Sequence, residues 1–316
     1  MNNKFYPMNS AEVLDQVLEV YKKSFFKQLA IAIIFNILFL IAVYIFLIIG
    51  VIAAAALFVG TAFQPGFGFG AIIMIAILIL LVLLFFSAYT ALTSTGNALI
   101  TKQTFLGEYC DVGRVLKVSF KKIWVAASAA LANLIVLIPA FIFTAIVVFF
   151  YIALIIGLAD AGLMAITPIL VLSFVLLLLI IAFFMLCATI TMMSMSVAIF
   201  EGKWFFSAVK RSFMLVRPDF LKLMGLLAVW SVVTTVFSYS FEVFLGIGTS
   251  LGGYFLPQEY AAAFMIGTMG IRMLFSIVIS TLLFPLSGIF STMLYINQRI
   301  KHEGLDIELN LNMLRR

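Results

Sequence analysis

The sequence predicts an all-α integral membrane protein: six transmembrane helices arranged as three related helical hairpins, with amphipathic interfacial helices on the cytoplasmic face. Three observations carry this expectation: an apolar composition, six long apolar runs, and a pattern that recurs about every 100 residues. Hydrophobic residues make up 65% of the 316 and charged residues 10%, with a mean hydropathy of +1.26. Soluble domains hold about 45–50% apolar and about 25% charged residues. The formal net charge is +6, but the cations sit in short connectors between apolar runs, so the excess reads as membrane topology and not as nucleic-acid binding.

A helix needs about 20 mainly apolar residues to cross a bilayer. The stretches 29–57, 71–98, 124–157, 165–199, 223–247 and 273–297 meet that need. The third and fourth exceed it and must tilt or kink, with Pro139 as one kink site and Pro285 as its counterpart in the sixth. The apolar stretch 259–272 is expected at the interface ahead of the sixth run. Of the 19 Lys and Arg residues, all but Arg272 fall before run 1, between runs 2 and 3, between runs 4 and 5, or after run 6. By the positive-inside rule both termini face the cytoplasm. No cleavable signal peptide is expected, because residues 1–28 are charged and lack a short apolar core.

Before the first run, "NSAEVLDQVLEVYKKSFFKQL" carries Asn9 with Glu12 three residues later, a capping-box arrangement. Val13, Leu14, Val17, Leu18, Tyr21 and Phe25 then share one face, opposite Asp15, Glu19, Lys22 and Lys23. Such a helix is expected to lie along the cytoplasmic surface, and connectors 103–123 and 203–221 to do the same. Lys22, Lys23, Lys27, Lys117, Lys121, Lys122, Lys210, Arg211 and Arg217 are its candidate contacts to anionic lipid.

The repeat divides one transmembrane domain, 1–316, into units of about 9–100, 101–202 and 203–311. "EVYKKSFFKQL", "RVLKVSFKKIW" and "FMLVRPDFLKLM" open them, placing Phe25, Phe120 and Phe220 in equivalent positions. The closing helices "SAYTALTSTGNALI" and "CATITMMSMSVAIF" align without a gap. Small residues then share one face: Ser87, Ala91, Ser94 and Ala98 in the first, Cys187, Thr191, Ser194 and Ala198 in the second. The third copy retains Ser287 and Ser291. Such a face serves close helix packing, or lines a cavity bordered by Ser94, Thr95, Ser194 and Ser291.

Ionisable groups inside spans mark function because they are costly to bury. Glu242 and Arg272 fall near the outer interface and are candidates for an ion pair, either a structural tie or a gate. The other interior polar groups include Asn36, Asn133 and Ser231, which do not titrate near neutrality, an argument against proton coupling. Cys110 and Cys187 show no ligand or disulfide spacing. His302, the single histidine, adjoins Glu303 on a basic segment and is expected to face solvent. Acid–base or metal chemistry needs several converging groups, and no such motif occurs; no enzyme activity, metal or cofactor is expected. Gly304 is expected to stop the last helix in the left-handed conformation, with "LDIELNL" folding back as an alternating strand or tail.

"FYPMNSAEVLDQVLEVYKKSFF", "YINQRIKHEGLDIEL" and "FEGKWFFSAVKRSFMLVRP" resemble the bacterial family named for the membrane domain of glycerophosphoryl diester phosphodiesterase. The likeness in length and span number covers nearly the whole chain. It implies a bacterial cytoplasmic (inner) membrane location. Some members join this domain to a soluble phosphodiesterase domain, whose catalytic ligands match no position here. The expected function is a membrane scaffold or accessory subunit contacting lipids and a protein partner or a second copy. The alternative is a transporter or lipid-handling protein with a cavity lined by small polar residues.

Overall fold

A computed structural model of the chain describes residues 6–63, 68–157, 166–254 and 258–307. Among them every element is helical: α1 (Ser10–Phe63), α2 (Gly68–Phe105), α3 (Val112–Lys121), α4 (Ile123–Gly157), α5 (Ile166–Thr191), α6 (Ser194–Glu201), α7 (Phe205–Val216), α8 (Phe220–Tyr254) and α9 (Gln258–Glu303). A 3-10 turn, Arg217–Asp219, links α7 to α8. Six helical stretches are long and apolar enough to cross a membrane.

The amphipathic start of the chain is not a separate helix. It runs into the first span as one element of 54 residues, since nothing between Lys27 and Ile31 breaks a helix. Its capping box forms in part: the Asn9 N–H donates to Glu12 (2.7 Å). Asn297 clasps the chain just before it, accepting from the Met8 N–H at 2.8 Å and donating to the Met8 carbonyl at 3.0 Å. Val13, Val17 and Val20 are buried in one core with Met193, Val197, Leu294, Tyr295 and Ile300. Tyr21 donates to the Leu282 carbonyl (2.9 Å) and Asn36 to the Thr281 hydroxyl (3.1 Å). Two positions of α1 about 22 Å apart along a helix axis thus meet adjacent residues of α9. The expected surface helix is instead the docked first part of α1.

The fourth apolar run is two helices, not one. Ser212, buried on α7, donates to the Ile190 carbonyl (2.8 Å) and accepts from the Met193 N–H (3.3 Å). A hydroxyl inserted into the backbone ladder replaces its local bonds, and the helix turns there. By contrast Pro139 and Pro285 lie inside uninterrupted α4 and α9. The stretch 259–272 is the first part of α9, not a separate interfacial element.

Burial is lopsided along every span. Among the described side chains, buried residues reach only to Phe35 in α1, begin at Ser87 in α2, reach to Ala140 in α4, begin at Cys187 in α5, reach to Trp230 in α8 and begin at Pro285 in α9. Each boundary lies on the side of the basic connectors. There the backbones approach closely: a methyl group added at Gly288 would stand 2.9 Å from the Asn97 side chain, and one at Gly96 would stand 2.8 Å from Ile31. Ala91 and Ala98 of α2 pack on Ala126 and Ala127 of α4, and Trp230 stacks on Phe290 with ring centroids 4.7 Å apart.

Candidate functional site

Two polar regions stand out, one at each end of the packed core. The first closes the basic end. Gly107, Gly202 and Gly304 each hold φ at +68°, the left-handed conformation that costs a side-chain-bearing residue about 1–2 kcal/mol; they follow the ends of α2, α6 and α9. Gly304 thus stops α9 as its sequence implies. After it, Leu305–Ile307 make a helical turn in place of the expected strand; 308–311 lie outside the described residues.

Glu201 and Glu303 precede two of these glycines, and one arginine joins them. Arg211 Nε lies 3.2 and 3.0 Å from the two Glu201 oxygens, and its Nη2 pairs with Glu303. Glu303 also takes Arg299 (2.9 Å). Tyr295 donates to Glu201 at 3.2 Å and accepts from Arg299 at 3.2 Å. Beside this network Asp219 pairs with Lys301, and lies 3.4 Å from His302 and 3.8 Å from Lys222. The arrangement locks the ends of α6 and α9 to the middle of α7.

This revises two expectations. His302 does not simply face solvent: its side chain is 30% exposed and sits against Asp219, because the 3-10 turn brings that carboxylate to the end of α9. Arg211, expected at lipid, spends its guanidinium on two carboxylates of the chain. Lys122 is likewise engaged, donating to the Ile199 carbonyl at 2.5 Å; burial, with Lys102 and Lys121 nearby, holds its ammonium below the usual lysine value. Lys23 pairs with Glu19 at 2.6 Å, and Lys27 stands over the Tyr109 ring at 5.7 Å. Lys22, Lys117, Lys121, Lys210 and Arg217 remain exposed.

Within these segments sequence reasoning missed a shared signal, Lys-x-Ser-Phe. Ser24, Ser119 and Ser212 are all buried, each two residues after an exposed lysine, Lys22, Lys117 or Lys210. Within this motif Phe213 of the third segment takes the place that Phe25 and Phe120 take in the first two. A search for buried hydroxyls on the amphipathic faces would have found it.

The small-residue faces go into packing in two copies only. Ser87, Ala91 and Ala98 are buried and Ser94 half-buried; Cys187, Thr191, Ser194 and Ala198 are buried, with Ser194 donating to Asn133 (2.7 Å). Ser287 is exposed and Ser291 half-buried, because α9 turns Ile289, Met293 and Ile296 to the core instead. Cys110 is buried beside Ile31, Phe35 and Ile100, and burial pushes its thiol above the usual value.

The second polar region lies beyond the core. A cavity of about 270 Å³ opens between α1, α2 and α9, lined by Asn36, Phe39, Leu40, Tyr89, Ser276, Ile277, Ser280, Thr281 and Phe284. Tyr89 donates to Asn36 at 2.5 Å. A second cavity of about 200 Å³, lined by Glu242, Arg272, Met273, Ser276 and Ile279, lies between α8 and α9. Ser276 belongs to both, so they adjoin. The expected Glu242–Arg272 ion pair is not closed: both face one cavity, but no salt bridge within 4.0 Å joins them. The guanidinium lies along Gly246, where an added methyl would stand 3.9 Å from Nη2, one turn past Glu242. Neither cavity is lined by Ser94, Thr95, Ser194 or Ser291.

Among the described residues no three His, Cys, Asp or Glu side chains are grouped to hold a metal. No protein-family model, curated protein or solved structure matches the chain.

Proposed function

We propose that the protein is a non-enzymatic scaffold or accessory subunit of a bacterial cytoplasmic membrane, with its basic end and both termini in the cytoplasm. The observation that carries this reading is the lopsided burial. One end is a packed, ion-paired hub, while the far halves of all six spans bury no residue fully among the described side chains and so offer apolar flanks to lipid and to other helices. Phe149, Phe174 and Phe244 are 70%, 62% and 78% exposed on α4, α5 and α8.

The reading includes three related hairpins. It is supported by three left-handed glycines after the closing helices and by the three buried serines of the Lys-x-Ser-Phe segments. The exposed lysines of those segments, with Arg217, are the contacts proposed for anionic headgroups. The cytoplasmic assignment rests on the one-sided cations, and the bacterial one on the resemblance of both termini.

Photo-crosslinkers placed at Phe149, Phe174 and Phe244 in native membranes test the scaffold. A discrete protein adduct from at least one flank is expected, either a second copy or a partner subunit. Lipid adducts alone from all three positions would overturn it.

A second reading, lipid handling, is favoured by the two adjoining cavities, which bring polar groups of α1, α2, α8 and α9 together on the flank of α9.

A further inference from the structure

We infer that the two cavities along α9 form one site for a zwitterionic phospholipid bearing a primary ammonium headgroup, of the phosphoethanolamine type. A scaffold does not need such a site, so the inference goes beyond that reading and stands or falls separately from it.

Glu242 and Arg272 line one cavity of about 200 Å³ without joining, and no hydrogen bond ties either side chain to another described residue. Both side chains are exposed, so each charge is open to a third party that links them. A lone anion would satisfy Arg272 and be repelled by Glu242; a lone cation would do the reverse. A ligand carrying both charges satisfies both. The guanidinium lies against Gly246, and residues one helical turn apart stand about 5–6 Å from each other. A two-carbon link between phosphate and ammonium bridges a gap of that size. Arg272 then presents its planar fork of donors to the phosphate, and Glu242 accepts from the ammonium.

The rest of the lipid follows α9. Ser276 and Ser280 lie one and two turns beyond Arg272 on the same face, about 6 and 12 Å along the axis. Both line the larger cavity. Thr281, Ser287 and Ser291 on the same helix return their hydroxyls to backbone carbonyls three or four residues back. Ser276 and Ser280 make no hydrogen bond to any described residue. Their free donors stand where the ester carbonyls of a glycerolipid follow its phosphate. Phe39, Leu40, Ile277 and Phe284 supply apolar wall for the acyl chains. The Tyr89–Asn36–Thr281 chain of hydrogen bonds forms the polar floor.

The test is native mass spectrometry of the detergent-solubilised full-length protein, titrated with short-chain phosphatidylethanolamine, phosphatidylglycerol or free phosphoethanolamine. Wild type is expected to hold phosphatidylethanolamine about tenfold more tightly than phosphatidylglycerol, the scale of one hydrogen-bonded charge, and to ignore the free headgroup. Glu242→Gln is expected to weaken phosphatidylethanolamine and tighten phosphatidylglycerol, reversing the preference. Arg272→Gln weakens both lipids and Arg272→Lys restores part of the binding, while Ser276→Ala with Ser280→Ala weakens both about threefold. A Glu242→Gln variant that keeps its preference, or a wild type without one, overturns the zwitterion assignment. Equal binding of free phosphoethanolamine overturns the lipid assignment. A loss of all binding in Glu242→Gln while the melting temperature also falls would mark Glu242 as structural and equally overturn it.

Discussion

The two ends of this molecule solve the membrane problem in different ways. At the basic end the six spans interlock: alanines bring α2 and α4 together, Gly288 admits Asn97, and Arg211 ties two helix ends to each other. At the opposite end the same helices bury no side chain fully among the described residues. Hydrophobicity does not explain the contrast, since both halves are apolar. In lipid the drive between helices comes from close packing and hydrogen bonds, and these need small residues and polar partners. The basic halves contain "AASAALAN" and "SAYTALTSTGNA". The far halves contain "AILILLVLLFF" and "LVLSFVLLLLIIAFF", long branched side chains that are as well served by lipid as by a neighbouring helix.

Truncating large side chains should expose the contrast most strongly. Leu294→Ala and Met193→Ala, both fully buried, are expected to cost about 2–5 kcal/mol each. Leu179→Ala and Leu274→Ala, 51% and 66% exposed, should leave unfolding in mild detergent nearly unchanged. Equal losses at both ends, measured by denaturant titration, would erase the distinction.

The helix stops come next. Gly202→Val and Gly304→Val force a branched residue to φ +68° and are expected to lower stability by about 1–2 kcal/mol or more. The Gly304→Val effect should vanish if the chain is not held there by Glu303. A thermal shift for Gly50→Val as large as theirs would remove the conformational argument, because an added side chain at Gly50 meets open space.

Arg211→Gln removes the one cation shared by Glu201 and Glu303 and should cost about 1.5–3 kcal/mol, the range for bonds to charged groups. The neighbouring Lys210→Gln, exposed to solvent, should be silent for stability and instead weaken binding to anionic vesicles. The smallest effect concerns reactivity. Cys110, buried and with a raised thiol, should resist maleimide from either side. Tyr109→Cys, at a site 88% exposed, should label readily once the basic side is reached. Fast labelling of Cys110 would show that the α3 region opens.

The spans were legible because twenty apolar residues in a row have few other uses, and Gly304 was legible because "HEGLD" ends an apolar run at a residue free to turn left-handed. Other features lie outside any local pattern. The break at Met192–Met193 is caused by Ser212, across a connector; within "CATITMMSMSVAIF" nothing announces it. Glu201 and Glu303 lie about a hundred residues apart, and only the folded chain puts Arg211 between them. The continuity of α1 was hidden by amphipathicity: Val13, Val17 and Val20 form the same stripe whether they meet lipid or Tyr295. Glu242 and Arg272 were legible as neighbours, but not that the guanidinium would lie along Gly246 without closing on Glu242.

The central claim is that one half of the bundle is packed and the other open. Spin labels scanned along α9 from Met269 to Ile300 in nanodiscs, read by their collision rate with oxygen, test it most directly. High access is predicted on all faces from 269 to 275, where every residue is exposed, and a protected face carrying Ile289, Met293, Ile296 and Ile300 beyond Pro285. A protected face running unbroken through both halves would contradict it.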